Sequence, residues 1–97
     1  MQVYMSFSKE SLQHIKKELN AVPYGGISDF SMHLYEDEIR ANYFWNEGFV
    51  IRCQDGHYIC IHHMERSTKT YEISTEAEAV EKFISIARRQ KQYSYKQ

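Results

Sequence analysis

Two β-rich segments that flank Asp55-Gly56 constrain the fold more than any other feature of the sequence. Residues 49–54 (FVIRCQ) and 57–62 (HYICIH) are rich in β-branched and aromatic side chains. Asp-Gly between two such runs is the preferred two-residue type I′ turn, because both central residues of that turn adopt positive φ. An antiparallel hairpin is therefore predicted. Its register pairs Gln54 with His57, Cys53 with Tyr58, Ile51 with Cys60 and Phe49 with His62.

Two amphipathic helices are predicted, one on each side of the β-rich region. Apolar residues at spacings of three, four and three predict a helix over residues 9–21, with Ser8 as its N-cap. A second helix is predicted to begin after Thr75, with Glu78 completing a capping box. The predicted buried face of this second helix consists of Ala77, Val80, Phe83, Ile84 and Ala87.

Further strands are predicted between the first helix and the hairpin. Apolar and polar residues alternate over residues 30–35 and again over residues 39–45, on either side of an acidic turn at 36–38. Residues 69–73 predict a last strand. The expected fold is α+β: an N-terminal helix, an antiparallel meander of four or five strands and a C-terminal helix, with both helices packed on one sheet face.

Length and composition predict a single domain over residues 1–97. Hydrophobic residues make up 42% of the 97 residues and charged residues 26%, as in ordinary globular domains. The first eight residues lack the basic start and apolar run of a signal peptide, and no segment approaches a membrane span. Two cysteines are too few for a disulfide scaffold. We therefore expect a cytoplasmic, reduced protein without membrane contact.

Charge is unevenly distributed, although the formal net charge is only −1. Residues 29–47 contain five acidic residues and one basic residue, whereas residues 88–97 contain four basic residues and no acidic one. This asymmetry predicts two contrasting surfaces. The small net charge argues against a global field that would attract nucleic acid.

The predicted hairpin places Cys53, Cys60 and His62 on one sheet face, with the two cysteines diagonal and too far apart for an unstrained disulfide. A zinc site would need a fourth ligand such as His33 or His63, and the spacing matches no finger or ribbon. Reactive thiols usually occupy exposed, electropositive positions, unlike cysteines within a strand. We therefore expect core cysteines, no catalytic residue, no metal and no cofactor.

Aromatic and acidic residues around the middle strands favour a protein-binding surface instead. Large apolar residues are predicted on both sheet faces, and helices on one face would leave the other to a partner, a second copy of the chain or a covering loop. The alternative is that both faces are covered within the monomer. Aromatic side chains beside charges are typical of interface anchors. The predicted anchors are Tyr35, Glu36, Asp37, Glu38, Tyr43 and Trp45.

The basic C-terminal run supplies an alternative hypothesis. Tyrosines between bases can stack on single-stranded nucleic acid. The residues that would do so are Arg88, Arg89, Lys91, Tyr93 and Tyr95. The run is short, and basic residues are common at helix C-termini for electrostatic reasons, so we expect nucleic acid not to be the main partner.

The segment FVIRCQDGHYICIHHMERSTKTYEISTEAEAVEKFI, residues 49–84, resembles small immunity proteins of bacterial polymorphic-toxin systems. The shared features are a strand pair, a turn at Glu65-Arg66, a short strand, and a helix opening with Ala79 and Phe83. Phage-encoded inhibitors of bacterial defence nucleases, including anti-CRISPR proteins, look similar over the same span, about a third of the chain. Both resemblances imply a compact protein that occludes another macromolecule's working surface, a toxin or a defence effector. Neither brings a catalytic residue with it.

Overall fold

The computed structural model describes residues 6–23, 30–43 and 47–95, and for Tyr43 and residues 93–95 it describes the backbone only. It confirms the predicted α+β architecture, with five strands between two helices. The elements are α1 (Lys9–Asn20), β1 (Phe30–Leu34), β2 (Glu38–Tyr43), β3 (Glu47–Gln54), β4 (His57–Met64), β5 (Ser67–Ile73) and α2 (Glu76–Tyr95).

The five strands form one antiparallel meander in the order β1-β2-β3-β4-β5. Asp55 and Gly56 have φ values of 48° and 82°, as the predicted type I′ turn requires. The β3–β4 register follows from that turn and confirms the four predicted pairs, from Gln54–His57 to Phe49–His62. Because side chains alternate between faces along each strand, this register decides which residues lie on each side of the sheet.

Both helices lie against one face of the sheet, which we call the inner face. α2 contacts β1, β2, β3 and β5, and α1 packs beside α2. Ile15 and Leu19 of α1 and Phe83 of α2 are fully or almost fully buried. From the sheet, the core receives Ile39, Ala41, Phe49, Ile51, Tyr58, Cys60 and Ile73. Neither described helix has the length and apolar character that crossing a bilayer requires.

The carboxylate of Glu76 joins the starts of the two helices. Ser8 caps α1 as predicted, since its hydroxyl accepts a hydrogen bond from Ser11 N at 3.2 Å. Glu76 accepts hydrogen bonds from Ser8 N at 3.0 Å, from Ser8 Oγ at 2.9 Å and from the hydroxyl of Ser11. Burial alone would raise the pKa of Glu76, but the hydrogen bonds outweigh burial and hold that pKa below its ordinary 4.5.

The buried face of α2 differs from the predicted one at its first position. Thr75 accepts a hydrogen bond from Glu78 N at 3.2 Å, as a capping residue does. Ala77, however, is exposed, and Ala79 is buried in its place. At about 100° per residue, Ala79 lies close to the line through Phe83, whereas Ala77 lies at the margin of the stripe in the first turn.

Two strands begin earlier than the sequence indicated. Glu38 opens β2, so the acidic turn comprises Glu36 and Asp37 alone. Glu47 opens β3, two residues before the predicted start of that strand at Phe49. In both cases the pairing between β2 and β3 begins earlier than side-chain polarity suggested, and Glu38 pairs with Arg52 and Glu47 with Tyr43.

Enlarging Ala79 and Ala77 separately tests the corrected face of α2. Ala79→Leu should lower the free energy of unfolding by about 1–3 kcal/mol, because the added atoms have no space in a packed core. Ala77→Leu should change it by less than about 0.5 kcal/mol, as exposed substitutions usually do. Urea unfolding of the two variants measures both values, and equal costs would contradict the assignment.

Replacing Glu76 by glutamine should weaken the link between the helices and reduce the acid sensitivity of the fold. A carboxylate with a depressed folded-state pKa contributes stability above its unfolded pKa, and that stability is lost as the pH falls through the folded pKa. We expect Glu76→Gln to cost about 1–2 kcal/mol at neutral pH and to lose less stability than the wild type under acid conditions. Urea unfolding from neutral pH to about pH 3 measures this. Glu10→Gln, at an exposed position of α1, is the control and should retain the wild-type pH dependence.

Candidate functional site

The sheet face opposite the helices, which we call the outer face, has no covering element within residues 6–23, 30–43 and 47–95. The centre of this face is apolar and consists of Val50, Ile59 and Ile61, on adjacent strands β3 and β4. Ile59 and Ile61 are half-buried, and Val50 keeps 9% of its surface exposed. Exposed His57 and His63 lie at the two ends of β4 on the same face. An apolar centre with a polar surround is the usual anatomy of a protein-binding patch.

One side of this apolar centre carries an Arg–Glu–Arg cluster. Glu38 accepts a hydrogen bond from Arg40 Nε at 2.5 Å and another from Arg52 Nε at 2.7 Å, one on each carboxylate oxygen. The hydrogen bond from Arg52 is the largest influence that holds the pKa of Glu38 below its ordinary value. Glu38 is therefore engaged by two cations, and the cluster as a whole is not acidic.

The predicted acidic surface is consequently narrower than expected and consists of Glu36 and Asp37 in the β1–β2 turn. Both side chains are exposed, while their backbone carbonyls are held by the rest of the fold. Glu36 O accepts a hydrogen bond from Phe7 N at 2.7 Å, and Asp37 O accepts one from Cys53 N at 3.0 Å. The turn thus presents two carboxylates on a backbone that α1's leading segment and β3 both fix in place.

Tyr35 adds an exposed aromatic ring beside this turn. Its surface is 55% exposed. Among the large hydrophobic residues that the structure describes, Tyr35 is the exposed one. Its ring stacks on His33 with 6.3 Å between centroids and 5° between planes. Its backbone N–H donates to Glu38 O at 2.9 Å. A pre-positioned aromatic ring loses little conformational entropy on binding, which suits an interface anchor.

The remaining predicted anchors do not join this group. Tyr43 ends β2, and Glu38 begins it, so their Cα atoms are about 17 Å apart along an extended strand. The side chain of Tyr43 lies outside the described part of the structure, and its backbone pairs with Phe30 and Glu47. Trp45 lies outside the described residues. The structure therefore brings together Tyr35, Glu36, Asp37 and Glu38 of the six predicted anchors.

The basic residues predicted for the nucleic-acid alternative contact other parts of the chain. Arg88 Nη2 donates to Glu18 Oε1 at 3.1 Å, and Lys91 Nζ donates to the Leu19 carbonyl at 2.6 Å, so both bases tie α2 to α1. Arg89 pairs with Glu47. The side chains of Tyr93 and Tyr95 lie outside the described part. Structural roles for three of the bases weaken the hypothesis that they form a nucleic-acid surface.

A polar cluster on the inner face was missed from the sequence. Glu47 Oε2 lies 2.5 Å from His62 Nε2 and also accepts a hydrogen bond from Arg89. Glu47 and His62 are largely buried, with 14% and 13% of their side-chain surfaces exposed. The β3–β4 register makes these two residues diagonal neighbours on one face, so their contact could have been predicted from that register. The arrangement fastens α2 to the sheet.

The two cysteines are free, and they occupy the inner face as predicted. Cys60 is fully buried, Cys53 is half-buried, and burial is the main cause that raises the pKa of each thiol to about 11. Both are therefore neutral thiols near neutral pH, whereas a nucleophile needs the thiolate. Among the described residues, histidine, cysteine and acidic side chains form no group of three or more that could hold a metal ion.

No family model, curated protein or solved structure matches the chain. The resemblance to immunity proteins and to anti-CRISPR inhibitors therefore stays a prediction.

The thiols should react slowly in the folded protein. With a pKa of about 11, each thiol has a very small thiolate fraction at neutral pH, and Cys60 is also inaccessible. We expect a disulfide reagent such as Ellman's reagent to modify the folded chain much more slowly than the urea-unfolded chain, with Cys60 slower than Cys53. Fast modification of Cys60 in the folded protein would contradict its placement in the core.

Proposed function

We propose that this chain is a non-catalytic, protein-binding inhibitor that acts in the cytoplasm as an immunity protein, covering the working surface of a toxin. The observation that carries the proposal is the outer face, which none of the described elements covers, with an apolar centre on β3 and β4 and a β1–β2 turn that displays Tyr35, Glu36 and Asp37. The free thiols fit a reducing compartment. A phage-encoded inhibitor of a defence effector would use the same mode of binding on a different partner.

An interface of standard size would need the adjoining turn in addition to the outer face. Five strands spaced at ~4.8 Å, each about seven residues long at ~3.3 Å per residue, give a flat face of roughly 450 Å². Standard interfaces bury about 800 Å² on each partner. Side-chain relief and the adjoining turn raise the accessible area of the outer face towards that value. The outer face alone, without the turn, would be a small interface.

Each part of the surface has a distinct physical role in the proposed complex. Ile59 and Ile61 supply apolar area whose removal from water stabilises the complex. Glu36 and Asp37 attract a basic partner surface and accelerate association, as charges at an interface rim do. Tyr35 lies beside the turn, at the β1 edge of the sheet, and serves as the aromatic anchor. The partner expected from this chemistry is a protein with a basic rim around an apolar patch.

The protein encoded beside this chain's gene is the partner to test first, by co-expression and by calorimetry. We expect the chain to relieve growth inhibition by that protein and to bind it with one-to-one stoichiometry. Ile59→Asp should weaken binding at least tenfold, since it places a charge at the centre of the apolar patch. Tyr35→Ala combined with Asp37→Lys should also weaken binding about tenfold or more.

Matched substitutions on exposed positions of α1 control for net charge. Gln13→Asp matches Ile59→Asp, and Glu10→Lys matches Asp37→Lys; both controls should leave the affinity within about twofold of wild type. Thermal unfolding followed by circular dichroism verifies that each variant is folded. Binding that survives both outer-face variants would refute the proposed surface, and neutralisation without binding would refute the proposed mode.

A further inference from the structure

A groove between β5 and α2 lies away from the outer-face centre and is not used in the proposed inhibitor surface. Its volume is about 420 Å³. The floor includes the ring of Tyr71, which lies 5.9 Å from Lys82 Nζ, and the buried Ile73. The lining residues are Tyr71, Glu72, Ile73, Glu78, Glu81, Lys82 and Ser85.

The strand beside this groove has an open edge. β5 is the last strand in the sheet, so within the described ranges its outer edge pairs with no other strand. Its sequence, STKTYEI, contains neither proline nor glycine, and five of its seven residues are exposed. Proline and bulges are common devices that prevent another strand from pairing with an edge. Lys69 carries a charge that discourages such pairing, but it lies towards the end of β5 that is away from the groove.

The charges around the groove specify what kind of segment fits. Glu72, Glu78 and Glu81 contribute three carboxylates, against the single ammonium of Lys82. Glu78 and Glu81 are exposed on the helix side, and Glu72 is exposed on the strand side. An occupant therefore meets apolar surface at the floor and negative charge on both sides.

We propose that the β5–α2 groove binds an extended peptide segment in which apolar residues alternate with lysine or arginine, and that the segment adds to β5 as a sixth strand. Main-chain hydrogen bonds to the free edge of β5 supply affinity, and alternate side chains supply specificity. Apolar side chains opposite Tyr71 and Ile73 enter the groove. The basic residues lie on the same face as Glu72, and the carboxylates of Glu78 and Glu81 across the groove add attraction at longer range.

A synthetic peptide of this pattern, acetyl-Gly-Lys-Val-Arg-Val-Lys-Gly-amide, is the probe. It is titrated at low salt into the full-length ¹⁵N-labelled chain and followed by NMR. We expect amide shifts confined to β5 and to residues 78–85 of α2, with binding that weakens as salt is added. The acidic counterpart, with glutamate in place of each basic residue, should bind at least about tenfold more weakly because like charges repel.

Charge reversal at the rim tests the site against a matched control. The double variant Glu78→Lys, Glu81→Lys should bind the basic peptide about five- to tenfold more weakly. The double variant Glu10→Lys, Glu65→Lys makes the same change in net charge at exposed positions outside the groove and should bind as wild type does. Because lysines near the start of α2 oppose its dipole, the milder Glu78→Gln, Glu81→Gln variant is tested as well and should show a smaller loss in the same direction.

Four outcomes would overturn the proposal. They are the absence of shifts at millimolar peptide, equal binding of the acidic peptide, shifts centred on the outer face, and β5 shifts that depend on protein concentration without peptide. The last of these would mean that a second copy of the chain occupies the edge. None of these four outcomes depends on whether the outer face binds the target of the proposed inhibitor.

Discussion

The register of the β3–β4 hairpin is the constraint on which the rest of this structure depends. The turn at Asp55-Gly56 sets that register, and strand periodicity extends it across the sheet. A shift of the pairing by one residue would place Ile51 opposite Ile59 or Ile61, and one of the two strands would then turn its core residues to the outer face. The alternation of the other strands would then conflict with that of the hairpin. Local turn chemistry thus decides which side chains the helices bury.

The two faces that result are chemically different. The inner face is closed by α1 and α2, and its polar groups are internally matched, as in the Glu47–His62–Arg89 cluster. The outer face keeps an apolar centre on β3 and β4 that neither described helix covers. Surface of this kind has a free-energy cost in water unless something covers it. The proposed binding role rests on this cost, because a bound partner would remove the apolar centre from water.

Short-range patterns predicted most of the fold. The hairpin, the Ser8 cap of α1 and the alternation of the strands each depend on residues close together in sequence, and the structure confirms them. The predicted buried face of α2 was wrong at Ala77, because the periodicity of a helix does not by itself determine the angle at which the helix docks on a sheet. That angle depends on how the core packs, which a single helix does not reveal.

The candidate site was predictable only in part, for a related reason. Tyr35, Glu36 and Asp37 could be found because a turn between two alternating strands exposes its residues. The engagement of Glu38 by Arg52 depends on the β2–β3 register, and no turn motif in the sequence specified how those two strands align. The contacts of Arg88, Arg89 and Lys91 depend on where α2 docks. These partners are far away in sequence, so charge runs alone gave a misleading picture of free acidic and basic surfaces.

The most direct test of an uncovered outer face is a comparison of Ile51→Thr with Ile61→Thr by urea unfolding at several protein concentrations. Threonine suits a strand, so the difference between the two variants reports burial and not strand propensity. Ile51→Thr should lower the free energy of unfolding by about 2–4 kcal/mol, because Ile51 is buried. Ile61→Thr should lower it by less than about 1 kcal/mol at every protein concentration. Equal costs, or a cost at Ile61 that rises with protein concentration, would mean that the outer face is already covered in the free protein.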